Sequence, residues 1–148
     1  MTINIKSAII LAAGFGKRMR HLTSEAPKPL ISFKGKPLIQ YSIDFLESLE
    51  VQEIIINVHY KSEKIKEFLK NLDNSKIKIS DESSEILDTG GGIKKAMSLI
   101  NGAESIVVNS DVLWNEKQIS SLKAMDAMFD QNSCDALLCL SSMENTIG

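Results

Sequence analysis

The sequence has little of what marks a specialised class of protein. Its 148 residues hold two cysteines, three prolines and one tryptophan, and only 5% are aromatic. Two cysteines cannot staple a disulfide scaffold, and Cys134 and Cys139 lack the paired spacing of a zinc site. Both fall in one apolar segment at positions that face opposite ways on a strand, so the expectation is buried, unbonded thiols in a reducing compartment. No apolar run approaches the ~20 residues of a membrane-crossing helix. The run from Ala8 to Ala13 is too short for a secretion signal, which predicts a cytoplasmic protein with no membrane partner. Charge of one sign is lacking too: 17 basic against 19 acidic residues leave a net charge of −2. A surface so balanced gives no basis for binding nucleic acid, and any affinity for an anion must come from local cations. Internal repeats, low-complexity tracts and obvious linkers are absent, so residues 1–148 read as one domain.

What is present is an alternation of apolar strands and amphipathic helices. Ser7–Ala12 (SAIILA), Glu53–Val58 (EIIINV) and Ser105–Asn109 (SIVVN) are continuous apolar runs, expected of strands buried on both faces. Lys76–Ser80 (KIKIS) alternates, which predicts a strand near a sheet edge. Pro37–Leu49, Ser62–Leu72, Gly92–Ile100 and Glu116–Phe129 read as helices, with Ser62 in an N-cap position. Asp135–Leu140 (DALLCL) reads as a last buried strand, and its place near Gly148 suggests a fold that is incomplete there. The pattern predicts an α/β, Rossmann-like three-layer fold with a mostly parallel sheet. In such sheets ligands bind beyond the carboxyl ends of the strands, where the turn after Ala12, the loop before Gly92 and the Asp111 loop all emerge.

Four segments there carry chemistry. In Leu11-Ala12-Ala13-Gly14-Phe15-Gly16-Lys17-Arg18-Met19, Gly14 and Gly16 let backbone N–H groups approach an anion, and Lys17 and Arg18 follow directly. The turn lacks the ending of the P-loop and the third glycine of the dinucleotide fingerprint, where Met19 stands. Lys28 lies between Pro27 and Pro29, which favour an extended backbone and mount a point charge on a stiff support. Asp111 follows an apolar strand at the presumed cleft mouth, where one carboxylate can hold Mg²⁺ whose other ligands are phosphate and water. Asp88-Thr89-Gly90-Gly91-Gly92 places three glycines before a helix, allowing the backbone to lie against a planar base or a phosphate. His21, His59 and Trp114 read as ordinary polar or packing residues.

Taken together, these segments resemble the sugar-1-phosphate nucleotidyltransferase family. LAAGFGKRM with PKPL resembles the superfamily signature. Asn57-Val58-His59-Tyr60, Ile79-Ser80-Asp81-Glu82, Leu87–Ile93 and Val107-Val108-Asn109-Ser110-Asp111 extend the likeness toward N-acetylmuramate 1-phosphate uridylyltransferases and mannose-1-phosphate guanylyltransferase-like proteins. The resemblance implies that Gly14, Gly16, Lys17 and Arg18 wrap a triphosphate and that Lys28 contacts the α-phosphate. It places Ala12, Ala13, Gly90 and Gly91 near the base, Asn109 near the nucleoside and Mg²⁺ on Asp111. Arg18, Lys28 and Asp111 are the implied catalytic residues. Asp88 stands where relatives carry glutamate, and relatives continue into a part that supplies the sugar pocket and a second Mg²⁺-binding aspartate.

The implied reaction is transfer of a nucleotidyl group from a nucleoside triphosphate, UTP first and GTP next, to a sugar 1-phosphate with release of pyrophosphate. The attacking phosphate oxygen is already anionic, so the site needs charge neutralisation and alignment more than a base. Two alternatives stay open: a nucleotide-binding module without turnover, and transfer to a molybdenum cofactor or a phospho-alcohol. Base, sugar and oligomeric state are not legible.

Overall fold

The computed structural model of the protein describes residues 3–140. The chain divides into two compact units, Met1–Trp114 and Asn115–Gly148. The first is built on a four-stranded parallel sheet of β1 (Ser7–Leu11), β4 (Glu53–Val58), β5 (Ile77–Asp81) and β6 (Ile106–Asn109). Between β1 and β4 the chain makes a short hairpin, β2 (Ser32–Phe33) with β3 (Lys36–Pro37), and then α1 (Leu38–Ser48). Helix α2 (Ser62–Leu72) joins β4 to β5, and α3 (Asp88–Met97) joins β5 to β6. The paired strands β1 and β4, and β4 and β5, are thus each bridged by a helix, as parallel pairing requires, while α3 carries the chain from one edge of the sheet to the other.

The strand order β5-β4-β1-β6 puts the two most apolar strands in the middle. Register pairs Ile9 with Ile55 and Ile10 with Ile56, and all four are fully buried. Because side chains alternate along a strand, Ile9 and Ile55 share one face, where they pack with Ala96 of α3. Ile10, Ile54 and Ile56 fill the other face. Each such side chain contributes about 1.5–3 kcal/mol on leaving water. The expected edge strand is found: β5 lies at one end, with Lys78 and Ile79 exposed. Strand β6 departs from the expectation of full burial. It lies at the other end of the ladder, Ile106 and Val108 are buried, and Val107 is 40% exposed.

Other boundaries moved for local reasons. Helix α2 starts where expected, but Ser62 is its first residue and not its cap. Lys61 precedes it in a left-handed conformation, and the Ser62 hydroxyl lies 2.9 Å from that of Ser83 instead. Trp114 packs as expected, stacked on Phe45 with ring centroids 4.2 Å apart.

The second unit, within the described residues, contains α4 (Glu116–Met128) followed by turns. The strand expected over Asp135–Leu140 is not formed. That segment is irregular, with Leu138 75% and Leu140 84% exposed. An apolar hexapeptide becomes a strand only where a neighbour accepts its backbone hydrogen bonds, and no ladder among the described residues includes it. The cysteine expectation falls with it: both thiols are free, but Cys139 is exposed and Cys134 only partly covered. Among the described residues no helix is long and apolar enough to cross a membrane.

Candidate functional site

The carboxyl ends of all four parallel strands open into one cleft of about 460 Å³ in the first unit. Ala12, Ala13, Gly14, Gly16, Lys17 and Arg18 line it after β1, Lys28 enters from its own turn, and Asn109 and Asp111 line it at β6. Gly90 and Gly91 are not in the wall; their predecessors Asp88 and Thr89 are.

Hydrogen bonds to neighbouring strands fix the start of the glycine turn. The Ala12 N–H donates to Asn57 Oδ1 at 2.7 Å, and Asn57 Nδ2 donates to Glu82 Oε1 at 2.9 Å. Asn57 is 2% and Glu82 1% exposed, so this chain of bonds is a buried one linking β1, β4 and the residue after β5. Gly16 then adopts φ +63°. A Cβ there would lie 2.9 Å from Lys28 Cβ and 3.0 Å from Thr23 Cγ2, so glycine is needed both for the left-handed turn and for the approach of Lys28. Gly14 differs: a Cβ would meet nothing within 4 Å. The protein's own packing does not demand glycine there, and the vacant space faces the cleft.

The far side of the turn rests on the corner after β4. Phe15 meets His59 edge-on at 5.4 Å and Tyr60 at 5.6 Å, and the Lys17 ammonium lies 5.2 Å from the centre of the Phe15 ring. His59 Nδ1 is 2.6 Å from the Glu82 carbonyl oxygen, a structural bond in keeping with its reading as an ordinary polar residue. Lys61 donates to the carbonyls of Thr23 and Ser24, pinning the 3-10 turn Lys17–Thr23 that carries Arg18.

Lys28 is not extended, as its flanking prolines suggest. Pro27 takes the extended conformation, while Lys28 opens a 3-10 turn, Lys28–Leu30. The turn is closed by Leu30 N–H to Pro27 O at 2.9 Å and Ile31 N–H to Lys28 O at 3.1 Å, bonds that outweigh the pre-proline preference. From this support the Lys28 ammonium donates to Asp111 Oδ2 in an ion pair, with the two side chains 27% and 31% exposed. The pair joins residues 83 positions apart.

The triple glycine also lies differently than expected. Helix α3 begins at Asp88, not at Gly92, so the glycines are inside its first turns. Gly92 is there for packing: a Cβ would stand 2.7 Å from Asn57 Nδ2 and 2.9 Å from Glu82 Oε1. The helix can lie on the buried amide–carboxylate pair only because Gly92 has no side chain. Asp88 carries φ +53°, a left-handed conformation that aspartate tolerates better than most residues.

Asn57 and Glu82 are buried polar wall residues that sequence reasoning left without a role. The signal was available: an asparagine inside an apolar buried strand must be hydrogen-bonded, and its partners are then structural or functional. Neighbouring Asp81 is committed elsewhere. The Lys66 ammonium, assisted by Ser83, holds its carboxyl well below the usual carboxylate range. Among the described residues no group of three or more His, Cys, Asp or Glu side chains could cage a metal. Asp111 alone suits only an ion whose other ligands come from phosphate and water.

This geometry has counterparts. The family model described as nucleotidyl transferase matches residues 7–144. N-acetylmuramate alpha-1-phosphate uridylyltransferase of Caulobacter vibrioides is 37% identical over 147 residues, 97% of this chain and 61% of the relative. The chain thus spans less than two thirds of that relative's length. The crystal structure of HddC from Yersinia pseudotuberculosis complexed with GMP-PN is 32% identical, with a TM-score of 0.66 over 80% of this chain and 54% of that one. The inositol-1-phosphate CTP transferase from T. maritima, 21% identical, shares the fold with a TM-score of 0.70 over 80% of this chain and 49% of that one. The chain belongs to the nucleotidyl transferase family.

Proposed function

We propose that this chain forms the nucleotide-holding and activating part of a sugar-1-phosphate nucleotidyltransferase. It would transfer a nucleotidyl group, from UTP first and GTP next, to a sugar 1-phosphate and release pyrophosphate. The observation that carries the reading is the convergence of Lys28 and Asp111 beside the glycine turn, in a cleft at the strand ends. The relatives' names support the reaction class, and the Caulobacter relative supports uridylyl transfer.

The roles follow from charge and position. The backbone amides around Gly14 and Gly16, with Lys17 and Arg18, hold the triphosphate. Lys28 neutralises the α-phosphate as an oxygen of the sugar 1-phosphate attacks phosphorus in line and pyrophosphate leaves. Gathering two polyanions is the main barrier, which cations offset without a general base. Asp111 fits Mg²⁺ as a single carboxylate at the mouth of an anion cradle; when bound there, the ion would neutralise charge on the phosphate oxygens. Ala12 and Ala13 lie toward the nucleoside, with Asn109 on the β6 side. The cytoplasm, where nucleoside triphosphates are abundant, is part of the same proposal.

The test is pyrophosphate release from Mg²⁺, nucleoside triphosphate and sugar 1-phosphate by a protein of the family's complete length. Lys28→Ala and Asp111→Ala should each lower turnover roughly tenfold or more, the scale for losing one group aimed at developing charge. Unchanged rates would sink the assignment. A second reading is a nucleotide-binding module without turnover. It predicts Mg²⁺-dependent nucleotide binding with no pyrophosphate formed.

A further inference from the structure

Lys17, Arg18 and Lys28 bring three cations to the cleft, and they are not in the same condition. Lys17 and Arg18 are exposed, and among the described residues neither is paired with a carboxylate. The Lys17 ammonium lies over the Phe15 ring, a contact that does not neutralise it. Lys28 is neutralised already, by Asp111 Oδ2, and both side chains of that pair are half-buried.

The roots of the pair are fixed. Asp111 follows Asn109 and Ser110, whose backbone is tied down. Ser42 Oγ donates to the Asn109 carbonyl at 3.0 Å, and the Ser110 N–H donates to the Leu11 carbonyl at 3.2 Å. Lys28 rises from its closed 3-10 turn with its stem against Gly16, where a Cβ would lie 2.9 Å from Lys28 Cβ and 3.6 Å from Cδ. Only the end of the stem is left to swing, and its arc begins beside the glycine turn.

One ammonium therefore serves two anions. A phosphate held by the glycine turn and the Asp111 carboxylate compete for the same compact, mobile charge. While Lys28 is on Asp111, a divalent cation approaching that carboxylate meets an ammonium of like sign at the same oxygen. No cluster of neighbouring acids strengthens the carboxylate's hold on a metal among the described residues.

We propose that the Lys28–Asp111 ion pair is an autoinhibitory latch. Nucleotide must draw Lys28 off Asp111, and only then does the carboxylate become a metal ligand. This rests on the nucleotide reading above and adds an order to it: the metal is taken with the nucleotide or after it. Coupling of this kind is reciprocal, so whatever removes Lys28 from Asp111 favours the metal, and whatever removes Asp111 from Lys28 favours the phosphate.

The experiment is a double-mutant cycle on the affinity for UTP or GTP in EDTA at low ionic strength, so that no metal takes part. It compares the wild-type chain, Lys28→Met, Asp111→Asn and the double variant. Lys28→Met keeps a stem against Gly16 and removes the charge. Asp111→Asn should tighten nucleotide binding in the wild-type background, because it frees Lys28 and also removes a repelling charge. In the Lys28→Met background only the second gain remains. The first gain should exceed the second by about two- to fivefold, the range of a partly exposed ion pair, and the excess should shrink as salt is raised. Equal gains overturn the proposal. So does a smaller gain where Lys28 is present, which would make Asp111 a residue that aims Lys28 at phosphate. A second measurement uses Mn²⁺ without nucleotide, read as broadening of the Ser110 and Asp111 amide signals by NMR. Broadening should begin at severalfold lower Mn²⁺ in Lys28→Met than in the wild type, and the same threshold in both also overturns the latch. If neither nucleotide binds, the proposed function falls, and the Mn²⁺ thresholds still decide whether Lys28 guards Asp111.

Discussion

Glu53 and Glu82 are both glutamates at the ends of inner or edge strands, and they are treated in opposite ways. Glu53, at the amino end of β4, has both oxygens occupied. Lys78 and Asn101 Nδ2 donate to Oε1, the Asn101 N–H reaches Oε2 at 3.0 Å, and the Ser7 hydroxyl reaches it at 3.5 Å. Glu82, beyond the carboxyl end of β5, has one oxygen bonded and one with no partner. At the amino ends, polar groups satisfy one another and tie the strands together. At the carboxyl ends they keep unused capacity: a free carboxylate oxygen, an open space at Gly14, and cations beside a turn of backbone amides. The lesson is that unmet polar groups, more than polar groups as such, distinguish a site from a scaffold.

The comparison can be broken first at Gly92, which belongs to the site end but serves packing. Gly92→Ala forces a Cβ to 2.7 Å from the Asn57 amide nitrogen, and is expected to lower unfolding stability in urea by about 2–4 kcal/mol. A neutral result would mean that the helix can shift and that the amide–carboxylate pair is not rigid. Next come Lys28→Ala and Asp111→Ala. Both should lose the roughly tenfold or more in turnover expected of a charge-stabilising group while changing the melting temperature little, because a half-exposed ion pair is worth only about 0–1 kcal/mol.

Glu53→Gln should do the reverse. It is expected to destabilise by about 1 kcal/mol at neutral pH, the usual scale for hydrogen bonds to a partly exposed charged group, and to leave nucleotide binding unaltered. The Lys78 ammonium, with the Asn101 N–H, holds the Glu53 carboxyl below its ordinary value of 4.5. Its contribution is therefore complete above pH 4.5 and is lost as pH falls through the lower folded value. Wild-type and variant stabilities should converge in acid, and a constant gap down to low pH would contradict the account. The smallest effect on stability belongs to Gly14→Ala, within about 0.5 kcal/mol of zero, because its Cβ enters open space. The same substitution should weaken nucleoside triphosphate binding measurably by titration, which sharpens the distinction between a glycine kept for ligand and one kept for fold.

Much of this was legible in the chain. The apolar runs SAIILA and EIIINV located the two central strands to within a residue or so, because a strand buried on both faces must be apolar throughout, and SIVVN located β6 although one of its faces is exposed. KIKIS declared an edge by alternation, and it lies at one. The glycine turn, Lys28 and Asp111 were chosen from local chemistry, and all three reach one cleft. Local signals failed where a second segment decides the outcome. DALLCL has the composition of a buried strand but belongs to no ladder among the described residues. Lys28 was read from its prolines, yet two turn-closing hydrogen bonds set its backbone. The triple glycine looked like a loop because glycine is a poor helix former, yet the helix runs through it to reach Asn57 and Glu82.

The sequence by itself determined the strand–helix alternation, the parallel sheet and the cationic glycine turn at its carboxyl end. These depend on hydrophobic periodicity and backbone freedom, which are properties of neighbouring residues. Only the tertiary structure decided that Lys28 pairs with Asp111 across 83 residues, that Gly92 exists to admit a buried amide, and that Glu82 has an oxygen without a partner. Whether a polar group is satisfied depends on what the fold brings within about 3 Å of it, and hydrogen-bond reach is short while sequence separation is not.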